Sequence, residues 1–204
     1  FKKENPDYKI LLTFFSPSGY EVRKNYSGVE IITYLPLDTK RNAKRFVEIV
    51  KPDLVFFVKY EFWLNFLEEL KRKNIPHFLV SAIFRSDQVF FKAYGKLFRN
   101  ALRNFSWIFT QEKESMELLK SIGIDSVEEA GDTRFDRVVE ISESAKEIPV
   151  AKFFSGENKK TIVAGSTWQA DEEKLFPAIA PVLLEGWKLI IAPHELSGNH
   201  IVEI

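Results

Sequence analysis

The residues best suited to chemistry come in short polar clusters, each placed directly after a hydrophobic run. They are Ser16-Pro-Ser18-Gly19, Leu35-Pro-Leu-Asp38, Lys59-Tyr-Glu61-Phe-Trp63, Ser81 to Arg85, Thr110-Gln-Glu112, Gly131-Asp-Thr-Arg134, Gly165-Ser166-Thr167 and Pro193-His194-Glu195. The small hydroxyls and glycine after the first run leave backbone N–H groups available to an anion at a helix start. Each cluster also has a purely structural use. Ser, Thr and Asp before a helix act as caps, with Asp38 suited to the helix that follows it. Glu61 is a favourable acid for a first helical turn, and Arg134 fits a surface ion pair. Taken together, these polar ends on one rim point to a ligand site without naming its reaction.

Several chemistries are excluded. There is no cysteine, which removes disulfides, thiolate zinc sites and cysteine nucleophiles. His77, His194 and His200 lack metal-ligand spacing, so no metal is expected. No Gly-x-Gly-x-x-Gly follows a strand and no Gly-Lys-Ser/Thr is present, so no cofactor is expected either. Basic and acidic residues balance at 29 each, which argues against a nucleic-acid partner.

The elements that must position these clusters follow from hydrophobic periodicity. Strands are expected over Ile10–Phe15, Val29–Tyr34, Leu54–Val58, Phe78–Ile83, Trp107–Thr110, Ser126–Ala130, Thr161–Ala164 and Lys188–Ala192. Most are near-continuous apolar runs, the pattern of parallel strands covered on both faces. Helical patterns lie between them over Thr39–Val50, Phe62–Lys73, Ser86–Asn104, Lys113–Ile122, Phe135–Ser142 and Asp171–Leu184. Regular alternation implies right-handed crossovers and a doubly wound α/β sheet. Ligands bind such sheets outside the carboxyl ends of the strands, where the polar clusters lie. A polar seam over 144–160 divides a first domain, 1–143, from the start of a second, 161–204. No apolar run approaches the roughly 20 residues of a spanning helix.

Lys92, Lys96, Arg99 and Arg103 fall at helical spacing in one arc, with Phe90, Tyr94, Leu97, Ala101 and Phe105 opposite. The favoured expectation is a core-packed helix with a solvated basic face. The alternative is a stripe that faces an anionic membrane.

Ser16-Pro-Ser18-Gly19, Tyr34-Leu-Pro36, Lys59-Tyr-Glu61-Phe-Trp63-x-Asn65, Gly131-Asp-Thr-Arg134-Phe-Asp136, Gly165-Ser166-Thr167 and Ala192-Pro193-His194 stand in an order and spacing that resembles the Kdo transferases. The Glu-Phe-Trp-x-Asn and Gly-x-x-Arg-Phe-Asp elements are the specific ones. The resemblance implies a GT-B architecture of two Rossmann-like lobes. It also implies transfer of Kdo, an acidic eight-carbon sugar, from CMP-Kdo to lipid IVA at the cytoplasmic face of the inner membrane, within lipopolysaccharide synthesis. On that resemblance Glu61 and Arg134 stabilise the transition state, and Pro193 and His194 match a Pro-Arg pair that contacts CMP. Ser16, Ser18, Gly19, Gly165, Ser166 and Thr167 are expected among the substrate-binding residues. Three departures stand out: His194 replaces the family Arg, Arg134 replaces Lys, and Leu64 replaces Pro. The family's general-base glutamate would lie upstream of Phe1 and further CMP contacts beyond Ile204, so the chain alone is expected not to turn over. The competing expectations are a GT-B transferase or epimerase that uses a UDP-sugar, and a non-enzymatic two-lobed sugar-binding protein.

Overall fold

The computed structural model describes residues 2, 4–156, 160–195 and 198–203, without the side chains of Asn199 and Glu203. The chain forms two compact units, Phe1–Val139 and Glu140–Ile204.

In the first unit, β1 (Leu11–Phe14) pairs in parallel with β2 (Ile31–Tyr34), and α1 (Pro17–Arg23) connects them. After α2 (Lys40–Val50) comes a four-stranded parallel sheet in the order β3 (Val55–Val58), β4 (His77–Ala82), β5 (Trp107–Thr110) and β6 (Val127–Glu129). The crossovers are α3 (Leu64–Arg72), α4 (Lys96–Leu102) and α5 (Lys113–Ser121), and α6 (Thr133–Glu143) follows β6.

Among the described residues one face of the sheet carries the packed core and the other is partly covered. Phe57, Leu79, Ile108 and Val127 alternate into a core shared with Ala43 and Val47 of α2, Phe66, Leu67 and Leu70 of α3, and Leu119 of α5. Burial of each large side chain contributes about 1.5–3 kcal/mol. The neighbouring positions carry Phe56, Phe78 and Phe109, whose rings pack in sequence at 5.6 Å and 6.5 Å. Phe56 and Val58 are half exposed, and α6 buries none of its residues among those described. Continuous apolar strands therefore arise from one buried face and one aromatic face that the described residues leave partly open.

Asp38 does not cap the helix after it. Thr39 does, accepting from the Asn42 amide at 3.2 Å. Asp38 instead caps α3: its carboxylate accepts from the amides of Asn65 and Phe66, each at 3.2 Å, and the Asn65 side-chain amide donates to the Asp38 carbonyl at 2.9 Å.

The stretch 86–104 is also not one helix. A short 3-10 turn at Val89–Phe91 precedes α4, and the chain turns between them. Gly95 lies so close to the Val89 carbonyl that an added Cβ would stand 1.8 Å from its oxygen. The basic arc is thereby broken. Arg99 donates to the carbonyls of Phe90 (3.0 Å) and Lys92 (2.6 Å), and Arg103 to that of Ile122 (2.7 Å). Tyr94 and Leu97, expected on the buried side, are 78% and 65% exposed.

In the second unit, α7 (Pro149–Ser155) lies within the segment read as a linker, of which residues 157–159 are outside the described ones. Next, β7 (Thr161–Thr167) pairs in parallel with β8 (Lys188–Pro193) across α8 (Gln169–Leu184), and α9 (Gly198–Glu203) follows.

Candidate functional site

The carboxyl rim of the four-stranded sheet is built from backbone that ordinary residues avoid. Lys59, just past β3, and Ser81, near the end of β4, have φ of 62° and 58°. Left-handed geometry in non-glycine residues costs on the order of 1–3 kcal/mol and persists only where surrounding bonds impose it. Those bonds are present. The Lys59 amide donates to the Val80 carbonyl and the Gln111 amide to that of Ala82, both at 2.9 Å. The β4–β5 register shifts between Leu79 and Ala82, around Ser81. The Gln111 side-chain amide then donates to the Ser81 carbonyl (3.1 Å) and hydroxyl (2.8 Å).

Glu61 follows the Lys59 turn. Its carboxylate accepts from the indole N–H of Trp63, whose ring lies 4.6 Å from that of Phe15. Asn65, the last residue of the motif, fixes α3 through Asp38. The Glu-Phe-Trp-x-Asn element is thus an acid, the side chain that holds it, and the anchor of the next helix.

Arg134 sits in the first turn of α6. Its guanidinium pairs with Asp132 through Nε (2.7 Å) and Nη2 (2.5 Å), while Asp132 also accepts from the Arg134 backbone amide (3.0 Å). The hydrogen bond from Arg134 holds the Asp132 carboxyl below the usual carboxylate range, with the Lys59 charge adding to it. Asp132 in turn raises Arg134, with Tyr60 contributing. Glu61 and Arg134 each have their own partner, and no hydrogen bond or ion pair joins the two among the described residues.

Ser16 caps α1, accepting from the Gly19 amide at 3.4 Å, and lies 3.2 Å from the Ser18 hydroxyl. Gly19 has a packing reason, because a Cβ there would come within 2.8 Å of the Phe14 ring.

In the second unit, β7 runs past Gly165 to Thr167, three residues further than the sequence suggested. The extension is a bulge: Gly165 pairs with Ala192 and Thr167 with Pro193, while Ser166 is extruded with φ of 58°. The Ser166 hydroxyl lies 3.0 Å from His194 Nδ1, the His194 amide donates to the Thr167 carbonyl at 2.8 Å, and the imidazole stacks on Trp168 at 4.2 Å. Thr167 donates to buried Glu172 at 2.7 Å, which also meets His200 at 3.2 Å. Ala164, Gly165, Ser166, Thr167, Asp171, Lys174 and Leu175 line an open depression of about 470 Å³. Small residues, the Lys174 cation and the Asp171 carboxylate of the first turn of α8 thus surround an open hollow.

Lys59, Ser81, Gln111 and Thr133 stand in the strand-end clusters of the sequence without a role assigned to them, and no residue type there signals a left-handed turn; Trp168 and Lys174 lie outside those clusters.

The family model described as 3-deoxy-D-manno-octulosonic-acid transferase (kdotransferase) matches residues 1–137. A 3-deoxy-D-manno-octulosonic acid transferase of Aquifex aeolicus is 29% identical over 206 residues, covering 99% of this chain and 52% of the relative. A bifunctional glycosyltransferase/methyltransferase of Fusobacterium nucleatum is 27% identical, covering 92% of this chain and 30% of the relative. The chain thus spans about half or less of these curated relatives. Among solved structures, a putative UDP-N-acetylglucosamine 2-epimerase of Listeria monocytogenes aligns with a TM-score of 0.61 at 12% identity, covering 97% of this chain and 58% of that one. The corresponding enzyme of Rickettsia bellii aligns at 0.54 and 13%, covering 95% of this chain and 57% of that one. Identities this low speak to fold alone, and the fold shared is of the GT-B, Rossmann-like type.

Proposed function

Because this chain belongs to the 3-deoxy-D-manno-octulosonic-acid transferase family, we propose that the protein it forms transfers Kdo from CMP-Kdo to lipid IVA, a lipid A precursor, in lipopolysaccharide synthesis. The observation that carries this reading is the family match over residues 1–137, which covers the whole rim that holds Glu61 and Arg134. Transfer breaks the bond between an anomeric carbon and a phosphate oxygen while an acceptor hydroxyl attacks. Negative charge develops on the departing phosphate and positive charge at the sugar carbon. Arg134 supplies the cation for the first or for the sugar carboxylate, and Glu61, oriented by Trp63, the carboxylate for the second.

On this reading Ser16, Ser18 and Gly19 border the acceptor side. Gly165, Ser166, Thr167, Pro193 and His194 take the nucleotide, and Lys174 offers a charge for its phosphate. The acceptor lies in a membrane, so the work is done at an anionic lipid surface, on the cytoplasmic side of the inner membrane. Among the described residues no helix is long and apolar enough to cross a membrane. The exposed Tyr94 and Leu97 beside Lys96 are the contact surface we assign to it, in place of the broken four-residue stripe.

The structural neighbours act on UDP-sugars, so the discriminating experiment compares nucleotides. CMP is expected to raise the thermal unfolding midpoint of the full-length protein, and UDP at the same concentration is expected not to. Protection by UDP alone would replace this reading with a UDP-sugar enzyme.

A further inference from the structure

The end of β7 is held through a side chain as well as through its backbone. Of the two acids in the first turn of α8, Asp171 caps the helix, its carboxylate accepting from the Trp168 amide at 3.0 Å. Glu172 is used differently. It is 3% exposed, and its Oε1 accepts from the Thr167 hydroxyl at 2.7 Å. His200 of α9 closes on the same carboxylate, with Nε2 3.3 Å from Oε1 and 3.2 Å from Oε2. A buried carboxylate loses its hydration, and an apolar side chain of similar volume would serve packing alone at less cost. What the acid achieves is a connection between β7, α8 and α9. Thr167 is 7% exposed, and without Glu172 its hydroxyl would be buried and unpaired. The Thr167 carbonyl also accepts from the His194 amide at 2.8 Å. Ser166 and His194 both hang from this one residue: Ser166 through the bulge, and His194 through that amide and the Ser166 hydroxyl at 3.0 Å. The hollow lined by Gly165, Ser166 and Thr167 opens at the same place.

We propose that Glu172 and His200 are positioning residues for the sugar-nucleotide donor: acting through Thr167, they fix the bulge that presents Ser166 and His194 to the nucleotide. Neither touches the ligand. The inference rests on the transfer reading above, in which this strand end takes CMP, and deepens it by adding the two residues that set its geometry. Glu172 holds Thr167 and His200 holds Glu172, so the two act in series. Loosening either lets the strand end sample other arrangements, and the donor binds only the correct fraction. Donor affinity falls by that fraction, while Glu61 and Arg134 keep their own partners and the step after saturation is unchanged.

The test uses the full-length protein, with CMP affinity by calorimetry, Kdo transfer from CMP-Kdo, and thermal unfolding in parallel. Glu172→Gln keeps the volume and replaces one acceptor oxygen by a donor. It is expected to weaken CMP binding and raise the KM for CMP-Kdo about tenfold each, with kcat within about twofold of wild type. His200→Phe keeps a ring and removes the donor, and about a threefold change in the same two quantities is expected. Because the two act in series, the double variant is expected to match Glu172→Gln alone. Wild-type CMP affinity and KM in Glu172→Gln overturn the inference, even if the unfolding midpoint falls, since the pair then has a structural role only. A fall in kcat at constant KM overturns it as well, as do losses that multiply in the double variant. If Glu172→Gln does not fold, His200→Phe decides, and wild-type CMP affinity there overturns the inference. Wild-type protein that transfers Kdo beside unaffected variants strikes this inference alone; wild-type protein that transfers no Kdo overturns the proposed function, and this inference with it.

Discussion

Replacing Asp38 by Ala tests how the first unit supports its rim. Trp63 occupies the N-cap position of α3 and has no side-chain acceptor for the helix's free amides. Asp38 does that work from 27 and 28 residues away, taking the Asn65 and Phe66 amides on separate oxygens at 3.2 Å. Loss of such a cap costs about 0.5–2 kcal/mol, and loss of a negative charge at a helix N-terminus about 0.3–1 kcal/mol more. Asp38→Ala should therefore destabilise the first unit by roughly 2 kcal/mol. Asp38→Asn, which keeps one acceptor and loses the charge, should cost about half of that. Urea unfolding of the 204-residue chain by circular dichroism reads the difference as a lower midpoint at constant slope. An Asp38→Ala variant within about 0.5 kcal/mol of wild type would refute the assignment, since that is the scatter of neutral surface substitutions.

Trp63→Phe keeps an aromatic ring against Phe15 but removes the donor to Glu61, so transfer by the full-length protein should fall about tenfold through kcat. A change in KM alone would mean that Trp63 does not orient the acid. His77 is 1% exposed, with Nδ1 donating to the Ile75 carbonyl at 2.8 Å and Nε2 without a partner among the described residues. Burial lowers its pKa below the ordinary 6.5, so the fold holds the neutral ring. The unfolded chain takes up a proton first as pH falls, and the stability this residue contributes is full above about pH 6.5 and lost below it, down to the folded pKa. Unfolding free energy against pH should show that slope in wild type and lose it in His77→Phe; an unchanged slope would contradict the assignment.

All the strands and most of the helices are legible in the sequence, because hydrophobic runs and helical periods are local signals. The 86–104 stretch misleads for a local reason: its period is helical, but Gly95 packs against the Val89 carbonyl and the chain must turn. α1 is short and hides behind Ser-Pro-Ser-Gly, a sequence that reads equally as a loop. The motif residues point to the rim, yet their division of labour does not follow from them. That Trp63 holds Glu61 depends on side-chain direction within one turn, and that Asn65 answers Asp38 and Gln111 reaches Ser81 are facts of tertiary packing between residues 27 and 30 positions apart. The left-handed turns at Lys59, Ser81 and Ser166 carry no glycine to announce them.

The most direct measurement is Kdo transfer from CMP-Kdo to lipid IVA by the full-length protein, wild type beside Arg134→Ala. Wild type is expected to transfer, and Arg134→Ala to lose about a hundredfold or more in kcat, the scale of a removed charge-stabilising group, while its unfolding midpoint holds. Equal rates for the two proteins would take the rim of the four-stranded sheet out of the chemistry.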